Sequence, residues 1–251
     1  MKRILALLLS CCLLLTCVSA LAEDTIFNTP LEAEASNGLT YVSGSAYALT
    51  DDYSSYINCY VYAEVRNDGA SGIDLGGTME AMDAAGNVLD TTYISAMPSY
   101  IAPGEVAYVS GSFFIAKMED VTGPEDIASV KLTVGRDFYA YSGQISMVEN
   151  VTAEMATGLN FLDMEQDVFR ITINNDTDRE LFNPHVVAAA YDTDGKLLCF
   201  AIETFILSAG IHIPAGSSLI LDLTLPYDSA RACEQNNVQI TEVRCLVYTE
   251  R

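Results

Sequence analysis

Residues 56–68, YINCYVYAEVRND, alternate strictly between two sides of an extended chain. Ile57, Cys59, Val61, Ala63 and Val65 fall on one side; Tyr56, Asn58, Tyr60, Tyr62 and Glu64 fall on the other. Successive side chains of a strand point to opposite faces, so this pattern marks a half-buried β-strand and excludes an amphipathic helix. The strand stops at Asn67-Asp68-Gly69, residues that favour turns. Further on, residues 167–176, DVFRITINND, repeat the pattern, with Phe169, Ile171 and Ile173 on the apolar side and an Asn-Asn-Asp stop.

Other landmarks recur in the same order. Asp83-Ala84-Ala85-Gly86-Asn87 is matched by Asp192-Thr193-Asp194-Gly195-Lys196, each with a glycine that can supply positive φ in a hairpin. Ile101-Ala102-Pro103-Gly104-Glu105 is matched by Ile213-Pro214-Ala215-Gly216-Ser217, and IASVKLTV (127–134) by ITEVRCLV (240–247). Several landmarks in one order indicate a duplication. Short strands, frequent turns and the lack of a long amphipathic pattern predict an all-β chain of two tandem immunoglobulin-like β-sandwiches, each of roughly 100 residues. The expected organisation is a leader or linker at 23–38, a first sandwich at 39–142 and a second at 164–251. Residues 143–163 are a linker or the first strand of the second sandwich, and 151–159 suit a short helix or a strand. The strands expected in the first unit cover 39–49, 56–66, 78–82, 88–96, 106–115 and 127–134.

The chain begins MKRILALLLSCCLLLTCVSALAED. Lys2 and Arg3 precede an apolar run, and Ala20-Leu21-Ala22 forms an A-x-A cleavage site, so residues 1–22 read as a secretory signal peptide. The run is too short for the membrane-span reading to be preferred, and no later segment is a span. Lipid attachment at Cys11 is the alternative, but it would leave much apolar sequence behind the lipidated residue. The expected location is secreted or extracytoplasmic. Loss of the signal takes the formal charge from −22 to −24. A surface this acidic repels nucleic-acid phosphate and anionic lipid, and it suits solubility, cations or a basic partner.

Of seven cysteines, Cys59, Cys199, Cys233 and Cys245 follow the signal. Export permits disulfides, and Cys199, Cys233 and Cys245 are the candidates because Cys59 stands alone in its repeat. No CxxC pair points to zinc.

A strand ending in an Asn-rich turn, an apolar strand running into D-x-x-G, and P-G-E before the next strand resemble the FxLYD-type immunoglobulin-like repeats of exported bacterial proteins. The matching residues are Met79-Glu80-Ala81-Met82-Asp83 and Ala188-Ala189-Ala190-Tyr191-Asp192. The second copy alone keeps Tyr-Asp, and neither keeps the leading Phe. The resemblance implies a non-enzymatic extracellular module and no catalytic residues.

Asp192 and Asp194 open a D-x-D-G that could begin a calcium loop, with Glu203 at its twelfth position. Leu197, Leu198, Cys199 and Phe200 lack oxygen ligands there, so a hairpin turn is the preferred reading and no cofactor is expected. His185 and His212 have no sequence neighbour that makes a metal pair or a nucleophile dyad, and no serine lies in G-x-S-x-G or S-x-x-K. Tyr56, Tyr60 and Tyr62 share the face opposite the core face of their strand. They are either an aromatic platform for an extracellular or cell-envelope protein, or rings that pack on neighbours or on the other repeat. The absence of Trp counts against a sugar platform. The function expected is an exported, non-enzymatic interaction or structural module. The alternatives are a calcium-stabilised or ligand-binding module and, third, an extracellular hydrolase.

Overall fold

The computed structural model describes residues 29–50, 54–137, 145–159, 163–204 and 210–250. The expected signal peptide lies outside them. In chain order the first half holds β1 (Leu31–Ala35), β2 (Leu39–Leu49), β3 (Tyr56–Asn67), β4 (Ile73–Met82), β5 (Val88–Tyr93), β6 (Ser95–Met97), β7 (Tyr100–Ile101), β8 (Val106–Ala116), a 3-10 turn (Pro124–Asp126) and β9 (Ser129–Arg136). The second half holds β10 (Ile145–Met147), β11 (Val151–Leu159), β12 (Glu165–Asn174), β13 (Leu181–Phe182), β14 (His185–Tyr191), β15 (Leu197–Thr204), β16 (His212–Ile213), β17 (Ser218–Thr224), helix α1 (Tyr227–Gln235) and β18 (Glu242–Glu250).

The fold is an all-β sandwich architecture. In the first half, β2-β3-β8-β6 faces β1-β9-β4-β5; in the second, β11-β12-β17 lies with β10-β18-β14-β15. β3 is central because its alternation demands it. Ile57, Cys59, Val61, Ala63 and Val65 are all fully buried against Met79, Ile101, Leu132 and Val134 of the facing strands and loops. Each large aliphatic buried this way contributes about 1.5–3 kcal/mol. β12 plays the same part in the second half, with Phe169, Ile171 and Ile173 fully buried between β11 and β17.

Matched local devices hold the two halves. Asp83 Oδ1 accepts the backbone N–H groups of Ala85 and Asn87, and Asp192 Oδ1 accepts those of Asp194 and Lys196. Gly86 and Gly195 sit at φ of 81° and 75°, which favours glycine. After each central strand a buried asparagine ties two loops. Asn67 Nδ2 donates to the carbonyls of Ser71 and Ile101, and Asn175 Nδ2 donates to those of Arg179 and Ile213. The carbonyls of Asn67 and Asn175 in turn accept from Gly104 of the Pro103-Gly104 turn and Gly216 of the Pro214-Ala215-Gly216 turn. The polar stops read in the sequence are therefore interior fasteners as well as turn formers.

Several boundaries differ from expectation. Residues 31–35 of the supposed leader form β1, which pairs in parallel with β9. The strand expected over 88–96 is divided: β5 stays with β4 and β6 crosses to β8 in the opposite sheet. Residues 151–159 are a strand paired along their length with β12. The helix α1 stands where the first half has only its 3-10 turn. Its sequence, YDSARACEQ, has small buried residues (Ser229, Ala232, Cys233) and no large apolar stripe to announce it.

Candidate functional site

The polar phase of β3 and its neighbours builds the most elaborate side-chain arrangement among the described residues. Across β2-β3-β8-β6 the outward face runs in rows: Ser45, Tyr62, Ser110 and Ser95; then Tyr47, Tyr60 and Ser112; then Glu64 with Tyr108 and Met97. Much of this face packs on the second half. The reason lies in β14, HVVAAAY, whose seven residues are all buried. A strand without alternation is covered on both faces. One face of β14–β15 lines the second core, and the other meets the tyrosines.

The contacts are specific. Leu197 N–H donates to Ser43 Oγ, and Ser45 Oγ donates to the carbonyl of Leu198, at 2.8 and 2.7 Å. The Tyr62 ring meets Phe200 edge-on with centroids 5.1 Å apart, a favourable quadrupole arrangement. Tyr47 shares a 2.6 Å hydrogen bond with Ser229 of α1, and the Tyr60 hydroxyl donates to Asp228. Next to them lies a chain of polar groups. Tyr191 O–H donates to Glu64 Oε2 at 2.7 Å, so the Tyr108 hydroxyl, 3.0 Å from that of Tyr191, is the donor to it. Arg244 lies over the Tyr191 ring with its guanidinium carbon 4.0 Å from the centroid, and it grips Glu242 with two N–H groups at 2.7 and 2.8 Å.

Glu64 is 7% exposed. A carboxylate there is tolerable only because a hydroxyl donates to it and a cation lies near. Burial pushes the Tyr108 phenol up to about 12, and the Glu64 charge adds to the rise. Burial, then neighbouring Tyr108 and Glu64, drive the Tyr191 phenol further up. Burial likewise raises Tyr47. These phenols are neutral hydrogen-bonding groups at physiological pH.

The expected site residues therefore separate. Tyr62 is buried and Tyr60 half-buried in the seam, while Tyr56 is 50% exposed beyond it. The free platform expected of these three is, for Tyr60 and Tyr62, the contact with the second half of the chain, because β15 and α1 bring an apolar and hydrogen-bonding surface onto them. Asp192 and Asp194 form the hairpin turn. Glu203 lies six residues along β15 from its first residue, roughly 20 Å from the turn at strand rise, so no twelve-residue calcium loop forms. Among the described residues no group of three or more His, Cys, Asp or Glu could hold a metal.

Cys59, Cys199, Cys233 and Cys245 are free thiols, so the bridge expected among Cys199, Cys233 and Cys245 is not formed in this structure. Cys199 of β15 pairs with Ala190 and Cys245 of β18 with Ala188, on opposite sides of β14. Two strand spacings, about 9.5 Å, exceed the roughly 4.4–6.8 Å between α-carbons that a disulfide spans. Burial raises the thiols, Cys59 to about 12 and Cys233 and Cys245 to about 11, so none is an activated nucleophile. The two histidines are separate. His185 stacks on Tyr248 with centroids 4.8 Å apart, and His212 lies 2.9 Å from Glu180.

Sequence reasoning missed Glu64, Tyr108, Tyr191, Asp228, Ser229 and Arg244. The available signal was the unbroken apolar run of β14, which announces a second covered face.

No family model matches the chain, and no curated protein matches it. Solved structures give distant likenesses. Red sea bream transglutaminase is 10% identical over 86% of this chain and 29% of its own, with a TM-score of 0.22. The C-terminal globular domain of an oligosaccharyltransferase from Pyrococcus abyssi is 10% identical over 77% and 42%, with a TM-score of 0.20. A calcium-binding mutant of Bacteroides uniformis β-glucuronidase 2 is 15% identical over 71% and 23%, with a TM-score of 0.18. This chain spans less than half the length of each. Among the described residues no helix is long and apolar enough to cross a membrane.

Proposed function

We propose that this chain is an exported, non-enzymatic module of two immunoglobulin-like sandwiches that acts in protein interaction or as a structural spacer outside the cytoplasm. The FxLYD-like residues 79–83 and 188–192 and the signal-like first 22 residues support this reading. The observation that carries it is the seam. Tyrosine, serine and glutamate side chains of the first half hydrogen-bond to β14, β15 and α1 of the second and so join the two halves. A joined pair presents its remaining surfaces together, which suits a spacer or display module.

The reading is tested by expressing the full chain in a bacterium and sequencing the mature product from extracytoplasmic fractions. A protein starting at Glu23 outside the cytoplasm is the expected result. Retention of an uncleaved chain in the cytoplasm would overturn it.

A further inference from the structure

One part of the tyrosine-bearing sheet face stays open. β6 covers β8 only at Tyr108, Val109 and Ser110. Beyond that point a groove of about 370 Å³ opens, lined chiefly by Tyr60, Tyr93, Thr92, Ser95, Ser110 and Ser112. That volume falls in the roughly 300–1,000 Å³ range of small-molecule sites. In a protein of formal charge −22, no lining residue is charged. The groove instead combines aromatic rings with hydroxyls.

Its geometry is organised. Tyr60 stands directly across from Ser112 in the register of β3 and β8, and Ser110 stands across from Ser95. Ser110 and Ser112 point to the same face about 7 Å apart along the strand. The Tyr60 ring is fixed before any ligand arrives, by its bond to Asp228 and by the Tyr47 ring with centroids 5.3 Å away. Tyr93 is 83% exposed, a large ring held out over solvent by the end of β5. A pre-positioned wall reduces the entropic cost of binding.

We propose that this groove binds a neutral pyranose saccharide, with tyrosine rings taking the stacking role that a sequence without Trp cannot give to tryptophan. A pyranose presents axial C–H groups on one face and hydroxyls around its rim. The first suits the exposed face of Tyr93, with the half-buried Tyr60 ring as a fixed side wall. The second suits serine and threonine hydroxyls, which donate and accept equally. The acidic field and the lack of a lining cation exclude acidic sugars. This names a ligand class for the interaction module proposed above and rests on that reading.

The test uses purified residues 23–251 and calorimetric titration with cellotetraose, maltotetraose and tetra-N-acetylchitotetraose, with tetragalacturonate as the acidic control. Saturable binding of at least one neutral probe is expected, with none of tetragalacturonate. Tyr93→Ala should weaken that binding by about tenfold or more, as loss of an aromatic anchor does, and should leave the melting temperature unchanged because the side chain is exposed. Ser110→Ala with Ser112→Ala should weaken it independently. Failure of all three neutral probes, equal binding of tetragalacturonate, or undiminished binding by Tyr93→Ala would overturn the proposal. Because the titration uses purified protein, its failure leaves the export reading standing, and a failure of export leaves the titration intact.

Discussion

Replacing Tyr191 by Phe removes one hydroxyl from the centre of the seam and leaves the ring in place. The Arg244 stack at 4.0 Å is retained. What is lost is the 2.7 Å donation to Glu64 Oε2 and the acceptor for Tyr108. A hydrogen bond to a charged group is worth about 1.5–3 kcal/mol, and an orphaned buried hydroxyl costs about another 1 kcal/mol. The expected loss is about 3 kcal/mol. For a chain of this size that lowers the melting temperature by roughly 6–12 °C. The assay is urea unfolding of residues 23–251, followed by circular dichroism and tyrosine fluorescence together. Glu64→Met removes the other partner. The double variant should be far less destabilised than the two singles added, because replacing both partners with apolar groups leaves only Tyr108 unsatisfied. If Tyr191→Phe lies within about 0.5 kcal/mol of the parent, an ordinary surface effect, or if the two changes simply add, the seam is not held by this chain of hydroxyls.

Three further outcomes follow from the same contacts. The raised thiols of Cys59, Cys233 and Cys245 and the raised phenol of Tyr108 keep their protons in the folded state above their unfolded pKa values. The folded chain therefore binds more protons between about pH 9 and 12, and stability falls as pH rises through that window; a melting temperature that stays flat from pH 8 to about 10.5 would refute this. Ser229 is fully buried against the Tyr47 and Tyr62 hydroxyls, so Ser229→Leu overpacks the seam and should cost about 1–3 kcal/mol by urea midpoint, with an unchanged midpoint as the contrary result. Asp192→Ala frees the N–H groups of Asp194 and Lys196 and should cost about 1–2 kcal/mol, whereas EDTA should leave the parent's melting temperature where it was; a drop in EDTA would restore the calcium reading.

The sequence was most legible where one face of a strand meets one core. Ile57 to Val65 and Phe169 to Ile173 fix their burial by alternation alone, and the glycines at 86 and 195 fix their hairpins. It was least legible where two surfaces meet at long range. Nothing near Tyr62 announces Phe200, and nothing near Glu64 announces Tyr191. Alternation identifies a second face but not what covers it. The unbroken HVVAAAY contained that answer in general form, since a strand apolar on both sides needs a second partner surface. Helix α1 was hidden because its buried positions are Ser, Ala and Cys, residues that carry little hydrophobic periodicity. The groove at Ser110 and Ser112 was legible only as alternation, and its openness depends on how far β6 extends.

The doubly covered β14 also bears on the order in which the chain matures. A chain that emerges from its N-terminus has made β2, β3 and β8 before their cover, so that Tyr47, Tyr62 and Tyr108 face water until it arrives. The strands that will cover them come 83 to 153 residues later, as the Tyr108–Tyr191, Tyr191–Glu64 and Ser45–Leu198 bonds mark. The tyrosine face of β2, β3 and β8 is the surface against which β14 and β15 bury theirs. A product cut off before β14 would be left with an adhesive sheet, prone to pair with its neighbours, so each molecule's C-terminal half acts as the guard that keeps its N-terminal half solitary.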